Sequence, residues 1–186
     1  MRKLTLLAIA VVVIVGILTT AISGSKTDVD EDEFFKLIDS EASQYWRLTD
    51  DRKQELSGWI LHSARLYDIE PPLVVALISQ ESGWKNIVAK NGKDIGYMQV
   101  RASTARFMHD VYGDPPPNNI ARDLIDRPWY NIDRGTLYLR WIQDTYDIED
   151  ERFYLVLYNI GHGRVDLYAK PILARAEKLG GQYGSD

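Results

Sequence analysis

The residue best suited to do chemistry is Glu81, which follows a run of apolar residues at 73–78. The run predicts a buried helix ending at Glu81, and Pro71 and Pro72 suit its first turn. A carboxyl group there faces the negative end of the helix dipole, and apolar neighbours keep water from it. Both effects favour the protonated acid, which is the form that general acid catalysis requires. A single glutamate at a helix end is more often a solvated surface residue, so the rest of the sequence must show whether Glu81 is catalytic.

Short motifs follow along the chain and contain side chains suited to binding a polar ligand. In order they are Glu81-Ser82, Gly96-Tyr97-Met98-Gln99, Thr104-Ala105, Asn131-Ile132 with Tyr138-Leu139, and Tyr158-Asn159-Ile160-Gly161. The Gln99 amide can both donate and accept hydrogen bonds, and the Tyr158 hydroxyl can be directed at Glu81 or at a ligand. Gly96 lets the backbone approach a ligand closely.

Structural roles compete with binding roles at the other motif positions. Met98 offers an apolar wall to a ligand, but it and Tyr138 suit a core equally well. Asn159 can tie its turn to the cleft or simply end a helix. Thr104 is either a ligand contact or an ordinary helix residue.

This ordered set resembles the lysozyme-like lytic transglycosylases, whose motifs read Glu-Ser, Gly-Leu-Met-Gln, Thr-Ala, Asn-Ile with Tyr-Leu, and Tyr-Asn-Ala-Gly. The resemblance covers about residues 70–165. It implies a single lysozyme-like domain, mainly α within an α+β superfamily, with little β structure. It also implies that Glu81 is catalytic and that the substrate-binding residues are Gln99, Tyr158, Met98, Gly96, Asn159, Thr104 and Ser82.

The substrate that the resemblance implies is peptidoglycan, cut at the β-1,4 bond between N-acetylmuramic acid and N-acetylglucosamine. Glu81 would protonate the glycosidic oxygen and then accept the proton of the 6-hydroxyl of muramic acid. That hydroxyl would close on C1 and leave a 1,6-anhydro end. The reaction needs no metal and no cofactor, and one carboxyl group suffices, unlike the usual pair.

The sequence departs from the family pattern at several positions. Tyr97 replaces the usual leucine and Ile160 the usual alanine. Lys90 stands about where many members carry a serine that helps to position the acetamido group.

Asp94 is a possible second carboxylate, two residues before Gly96. Some transglycosylases of secretion systems carry a similar Asp-x-Gly-x-Met-Gln, and goose-type lysozymes also place aspartates in this region. If Asp94 faced the cleft, it could activate water, and the enzyme would be a muramidase that hydrolyses the glycan with Glu81. The alternative favoured here is that Asp94 caps or braces its loop. A third reading is a non-catalytic component that binds peptidoglycan within an envelope machine.

The histidines and tryptophans yield weaker signals. His62, His109 and His162 show no metal-ligand spacing, so we expect them to be structural or solvated. Trp84, close to Glu81, is the best candidate for a platform on which a sugar stacks. The other tryptophans are expected to lie mostly in the core: Trp46, Trp59, Trp129 and Trp141.

Composition predicts a globular chain with one core, since 45% of its 186 residues are apolar and 26% are charged. The absence of cysteine excludes disulfides, thiolate metal sites and a cysteine nucleophile. Beyond residue 23 there are 20 basic and 27 acidic residues, a net charge of −7. This charge argues against nucleic acid as a partner, because neutralising phosphates requires a basic surface.

The first residues predict export. Arg2 and Lys3 precede an uncharged run at 4–22, which is either a cleaved signal peptide or a retained inner-membrane anchor. Both readings place the remainder in the periplasm or cell envelope. The domain prediction is therefore an export segment at 1–23, a polar linker at 24–32 and the lysozyme-like domain at 33–186.

Apolar periodicity predicts several other helices and no strand of any length. The helix predicted to include Leu56–Tyr67 has Asp50 or Asp51 as its N-cap. The predicted helical segments are one around Phe34, Ile38 and Ala42, one at Leu56–Tyr67, then Ala102–Val111 ended by Gly113, Asn131–Tyr146, Arg152–Tyr158, and Pro171–Leu179 closed by Gly180-Gly181, with a loop at Gly83–Asp94.

Overall fold

The structure, a computed structural model, describes residues 30–146, 158 and 165–183. Helices dominate these residues, as the sequence predicted, and one short antiparallel hairpin accompanies them. The elements in chain order are α1 (Glu31–Ala42), α2 (Asp50–Tyr67), α3 (Pro71–Glu81), β1 (Asp94–Ile95), β2 (Val100–Arg101), α4 (Ala102–Tyr112), α5 (Ile120–Asp126), α6 (Pro128–Tyr146) and α7 (Val165–Tyr183).

The central element is α3, which begins at Pro71 and Pro72 as predicted, where the missing N–H groups cost no helical hydrogen bond. Every residue of 71–79 is buried. A helix that is apolar on all sides must be enclosed, and α3 packs against α7, α2 and α1. It emerges from the core only at its end, where Glu81 is partly exposed.

Local signals set several helix ends. Thr49 caps α2 by accepting a hydrogen bond from Arg52 N at 3.3 Å, so the prediction of Asp50 or Asp51 as cap is wrong. Both aspartates lie instead in the first turn, where the helix dipole favours acidic groups. Gly113 ends α4 with a positive φ of 73°, as predicted.

The last helix is longer than predicted. It begins at Val165 rather than Pro171 and continues through both glycines to Tyr183. Its buried residues Ala169 and Ile172 belong to the core, and α7 packs along α3. This packing outweighs the helix-breaking tendency of proline and glycine.

Other differences are small in extent. The helix α1 begins at Glu31, so the end of the segment predicted as a linker at 24–32 is helical. The helix α6 begins at Pro128 instead of Asn131, and the seven-residue α5 was not predicted. A segment this short offers too few periodic positions to distinguish it from a loop.

The hairpin of β1 and β2 is too short to show an alternating sequence pattern. Asp94 pairs with Arg101 and Ile95 with Val100. The loop before it turns at Gly92, whose φ of 69° suits glycine.

Within the described residues, no helix is both long and apolar enough to cross a membrane. The predicted export segment at 1–23 lies outside those residues, as does the predicted helical segment at 152–157.

Candidate active site

Glu81 is the last residue of α3 and projects from the end of the enclosed helix. The two apolar residues expected beside it, Leu77 and Ile78, are both fully buried. The hydroxyl of the next residue, Ser82, donates to the carbonyl oxygen of Ile78 at 3.2 Å and so satisfies part of the helix end. Glu81 therefore stands at the boundary between the core and the surface, where a carboxyl group can meet a substrate.

The chain reverses immediately after Glu81. Gly83 and Trp84 both have positive φ angles, of 55° and 64°. Trp84 is fully buried, and its indole Nε1 donates to the hydroxyl oxygen of Ser79 at 2.9 Å. The prediction that Trp84 is a sugar-stacking platform is therefore wrong, because no face of its ring reaches solvent. Its indole instead folds back onto α3.

The loop at 96–99 is fixed by the side chain of Asn131 in α6. Asn131 Nδ2 donates to Ile95 O at 2.7 Å, and its Oδ1 accepts a hydrogen bond from Met98 N at 2.8 Å. Gly96 is required here, since an ideal Cβ would lie 2.5 Å from Asn131 Cγ and the φ of Gly96 is 77°. The close approach predicted at Gly96 is thus made by a buried amide of the protein itself.

Gln99 ends this loop with a positive φ of 49°. Its Nε2 donates to Gly96 O at 2.7 Å and to Ile87 O at 3.3 Å. The amide is partly exposed, so it remains a candidate contact for a ligand while it also stiffens the loop.

Met98 is fully buried and does not present its side chain to an open groove, which corrects its predicted role as an apolar wall. An ideal Cβ on Gly135 would lie 2.6 Å from Met98 Sδ and 2.9 Å from the hydroxyl of Tyr158. That hydroxyl donates to Met98 O at 3.0 Å, whereas the sequence suggested Glu81 or a ligand as its partner. Gly135 of α6 therefore makes room for both residues.

Asp94 has an ionic partner across the hairpin. Its Oδ1 lies 2.7 Å from Arg101 Nε, and its Oδ2 accepts a hydrogen bond from the amide of Asn91. Asn91 also accepts from the backbone N–H groups of Lys93 and Asp94 at 2.9 and 3.2 Å. These contacts match the bracing role that the sequence favoured for Asp94.

The remaining predicted site residues are less informative. Thr104 lies in the first turn of α4 and is partly exposed, and Lys90 is exposed in the loop before the hairpin. Tyr97 is 3% exposed and thus occupies a buried position, as the leucine that it replaces would. Burial also raises the pKa of the Tyr97 hydroxyl. Asn159 lies outside the described residues.

The histidines fit the structural reading where the structure describes them. His109 is 4% exposed, with Nε2 2.7 Å from the Tyr130 hydroxyl and Nδ1 2.8 Å from Asp114 Oδ2. His62 is exposed, and His162 lies outside the described residues. Across residues 30–146, 158 and 165–183, no group of three or more potential ligands could hold a metal ion. The tryptophans differ from expectation, since Trp46 and Trp129 are about half exposed.

Sequence reasoning missed the buried acid Glu41 of α1, which accepts a hydrogen bond from the Ser79 hydroxyl at 2.9 Å. One signal was present. Glu41 stands seven residues after Phe34 and three after Ile38, so it falls on the apolar face of α1. A charged residue at such a position indicates a buried polar contact.

Comparison with known proteins identifies a family. The family model for the Transglycosylase SLT domain matches residues 59–177, which include Glu81, the 96–99 loop and Asn131. The helix α1 lies outside that region. A match to this extent covers well over half of the chain.

Among solved structures, the chain is similar to an inactive mutant of the lytic transglycosylase Slt from Pseudomonas aeruginosa. The two share 17% sequence identity with a TM-score of 0.58, and the similarity covers 83% of this chain. It covers only 31% of the Slt chain. At this identity the similarity shows the fold, so the expected lysozyme-like, mainly helical domain is confirmed.

Proposed function

We propose that this chain, which belongs to the transglycosylase SLT domain family, cleaves the glycan strands of peptidoglycan with Glu81 as its general acid and base. The observation that carries the proposal is the position of Glu81. It ends an enclosed apolar helix, lies within the matched region and is partly exposed. A carboxyl group so placed projects from a packed helix and can still reach a bound sugar linkage.

The reaction moves one proton between two sugar oxygens. Glu81 donates a proton to the glycosidic oxygen as the bond from that oxygen to C1 of N-acetylmuramic acid breaks. The carboxylate then takes the proton of the 6-hydroxyl of the same sugar, and O6 bonds to C1. The products are a 1,6-anhydro end and a free 4-hydroxyl on N-acetylglucosamine, and no water is consumed.

Replacement of the acid provides the direct test. We expect Glu81→Gln to lower the release of muropeptides by about 10²–10⁴-fold, the usual contribution of general acid–base catalysis. Its thermal stability should stay close to that of the wild type, because residue 81 is only partly buried. Turnover by Glu81→Gln near the wild-type rate would exclude the mechanism.

The chemical form of the products tests the reaction type. Mass spectrometry of digested cell wall should find 1,6-anhydro ends. Reducing muramic acid ends would instead indicate a muramidase, the role in which Asp94 would activate water. The pairing of Asp94 with Arg101 favours the transglycosylase, because it directs that carboxylate into the hairpin. Binding to cell wall without any released muropeptides would indicate a non-catalytic component of an envelope machine.

We also propose that the chain acts in the cell envelope. The uncharged run at 4–22 behind Arg2 and Lys3 is typical of an export segment, and peptidoglycan lies outside the inner membrane. Fractionation of cells that express the full chain should find it in the periplasm or inner membrane, and recovery from the cytoplasm alone would contradict this.

A further inference from the structure

A buried hydrogen-bond relay connects Glu41 of α1 with the segment that carries Glu81. The Ser79 hydroxyl donates to Glu41 Oε1 at 2.9 Å, and Trp84 Nε1 donates to the Ser79 oxygen at 2.9 Å. Glu41 and Ser79 are each 4% exposed, and Trp84 is fully buried. Because buried polar groups are costly to leave unpaired, these contacts fix the three side chains relative to one another.

The relay of Glu41, Ser79 and Trp84 holds the chain on both sides of Glu81. Ser79 lies two residues before the acid and Trp84 three residues after it. A left-handed conformation is unfavourable for a bulky residue such as Trp84, so its surroundings must stabilise it. Burial of the indole and its hydrogen bond to Ser79 provide that stabilisation. The relay thereby sets the backbone from which Glu81 projects.

The far end of the relay is anchored by elements from both ends of the described chain. Arg175 Nη1 of α7 lies 3.3 Å from Glu41 Oε1, and Gln44 Nε2 donates to Glu41 Oε2 at 3.2 Å. The guanidinium of Arg175 lies 5.0 Å from the ring centre of Tyr45. The Tyr45 ring in turn lies 3.5 Å from an ideal Cβ on Gly83, in the turn after the acid.

We propose that Glu41 is a positioning residue that orients the carboxyl group of Glu81 for proton transfer. The proposal rests on the function proposed above, because it assigns a support to the same acid. Glu41 precedes residue 59, where the family match begins. The helix α1 therefore supplies this support from outside the matched region. Misplacement of a reacting group by 1 Å can cost about 10²-fold in rate, while contacts to the rest of the substrate persist.

Three variants interrupt the relay at successive points. Ser79→Ala removes only the central hydroxyl and Glu41→Ala removes the acceptor. Trp84→Phe removes the N–H donor together with part of the buried ring. We expect each to lower kcat on soluble, uncrosslinked glycan strands by about tenfold, with KM within about twofold of the wild type. Glu41→Gln retains an oxygen that can accept from Ser79, so it should recover part of the lost kcat.

A matched control lies on the same helix. Asp39 pairs with Lys53 of α2 and makes no described contact with residues 79–84. Asp39→Asn should therefore lower the melting temperature without changing kcat. The double variant of Glu41→Ala with Trp84→Phe should lose little more kcat than the worse single variant, because both interrupt one relay.

The outcomes separate the two proposals. Full turnover by Glu81→Gln would overturn the proposed function. Loss of activity in Glu81→Gln together with wild-type kcat in Trp84→Phe and Glu41→Ala would overturn only the positioning role. The positioning role would also be overturned if the fall in kcat of these variants were fully explained by the fraction of protein that is unfolded. If Glu41→Ala fails to fold, Ser79→Ala decides the question, because it removes a single hydroxyl from the centre of the relay.

Discussion

Two segments carry most of the predicted site residues, and different kinds of contact hold them. The segment 79–84 is tied by side chains to other side chains, through a relay that ends in α1 and α7. The segment 95–99 is tied by one side chain to main-chain groups, since Asn131 bonds both Ile95 O and Met98 N. Loss of Asn131 leaves two buried backbone groups unpaired, whereas loss of the relay leaves the backbone bonds intact. We therefore expect variants near 95–99 to lower stability and relay variants to lower turnover.

The largest loss of stability is expected for Asn131→Ala. It removes both hydrogen bonds to the main chain and leaves a cavity at a fully buried position, which should cost about 3–5 kcal/mol of unfolding free energy. Denaturant unfolding measures the change. Asn119→Ala, which removes only the exposed cap of α5, is the control and should cost about 1 kcal/mol. Equal losses for the two variants would contradict the role given to Asn131.

A smaller loss is expected for Gly96→Ala, compared with Gly92→Ala. Both glycines have positive φ, but only a Cβ at Gly96 meets another group, the amide of Asn131. Gly96→Ala should therefore lower the free energy of unfolding by about 1–3 kcal/mol more than Gly92→Ala does, which is the usual cost of overpacking. Similar thermal unfolding of the two variants would show that the Asn131 amide can move aside.

The next largest loss of stability is expected for Tyr158→Phe, which removes the hydrogen bond to Met98 O. Loss of one hydrogen bond should cost about 1 kcal/mol. The exposed Tyr146 provides a control, because Tyr146→Phe should be nearly neutral in the same melting experiment. If Tyr158→Phe loses kcat without losing stability, its hydroxyl acts on the substrate as well as on the loop.

The smallest effect is expected for Asp94→Asn. The side chains of Asp94 and Arg101 are 24% and 48% exposed, so solvent screens their ion pair, and its loss should cost less than about 1 kcal/mol. Cell-wall digestion by Asp94→Asn should remain close to that of the wild type. Loss of activity by a stably folded Asp94→Asn would favour the muramidase.

Local patterns explain what the sequence predicted well. Pro71 and Pro72 begin α3 and Gly113 ends α4 because these residues act on the backbone at their own positions. The Gly96 to Gln99 motif and Asn131 could also be recognised, since each is a short string at a family-like spacing. Their assembly into one rigid loop followed from the structure.

Side-chain contacts that the sequence spacing does not reveal explain the errors. Trp84 looked like a binding residue because it follows Glu81 closely, but its partner Ser79 points it into the core. Glu41 lies 38 positions before Ser79, and no local pattern joins the two. Likewise, Pro171 suggested a helix start, whereas packing of α7 along α3 carries the helix through it.

The order in which the chain is made matters for an α3 that is apolar on every side. A nascent chain that has not yet reached α7 leaves one flank of α3 in water and lacks Arg175, so Glu41 would lose its ionic partner at the far end of the relay. We expect a chain truncated after residue 164 to be degraded rapidly by added protease and to leave cell wall intact. Synthesis of the last helix would thus be the step that makes the chain active, and an unfinished copy would not cut the wall.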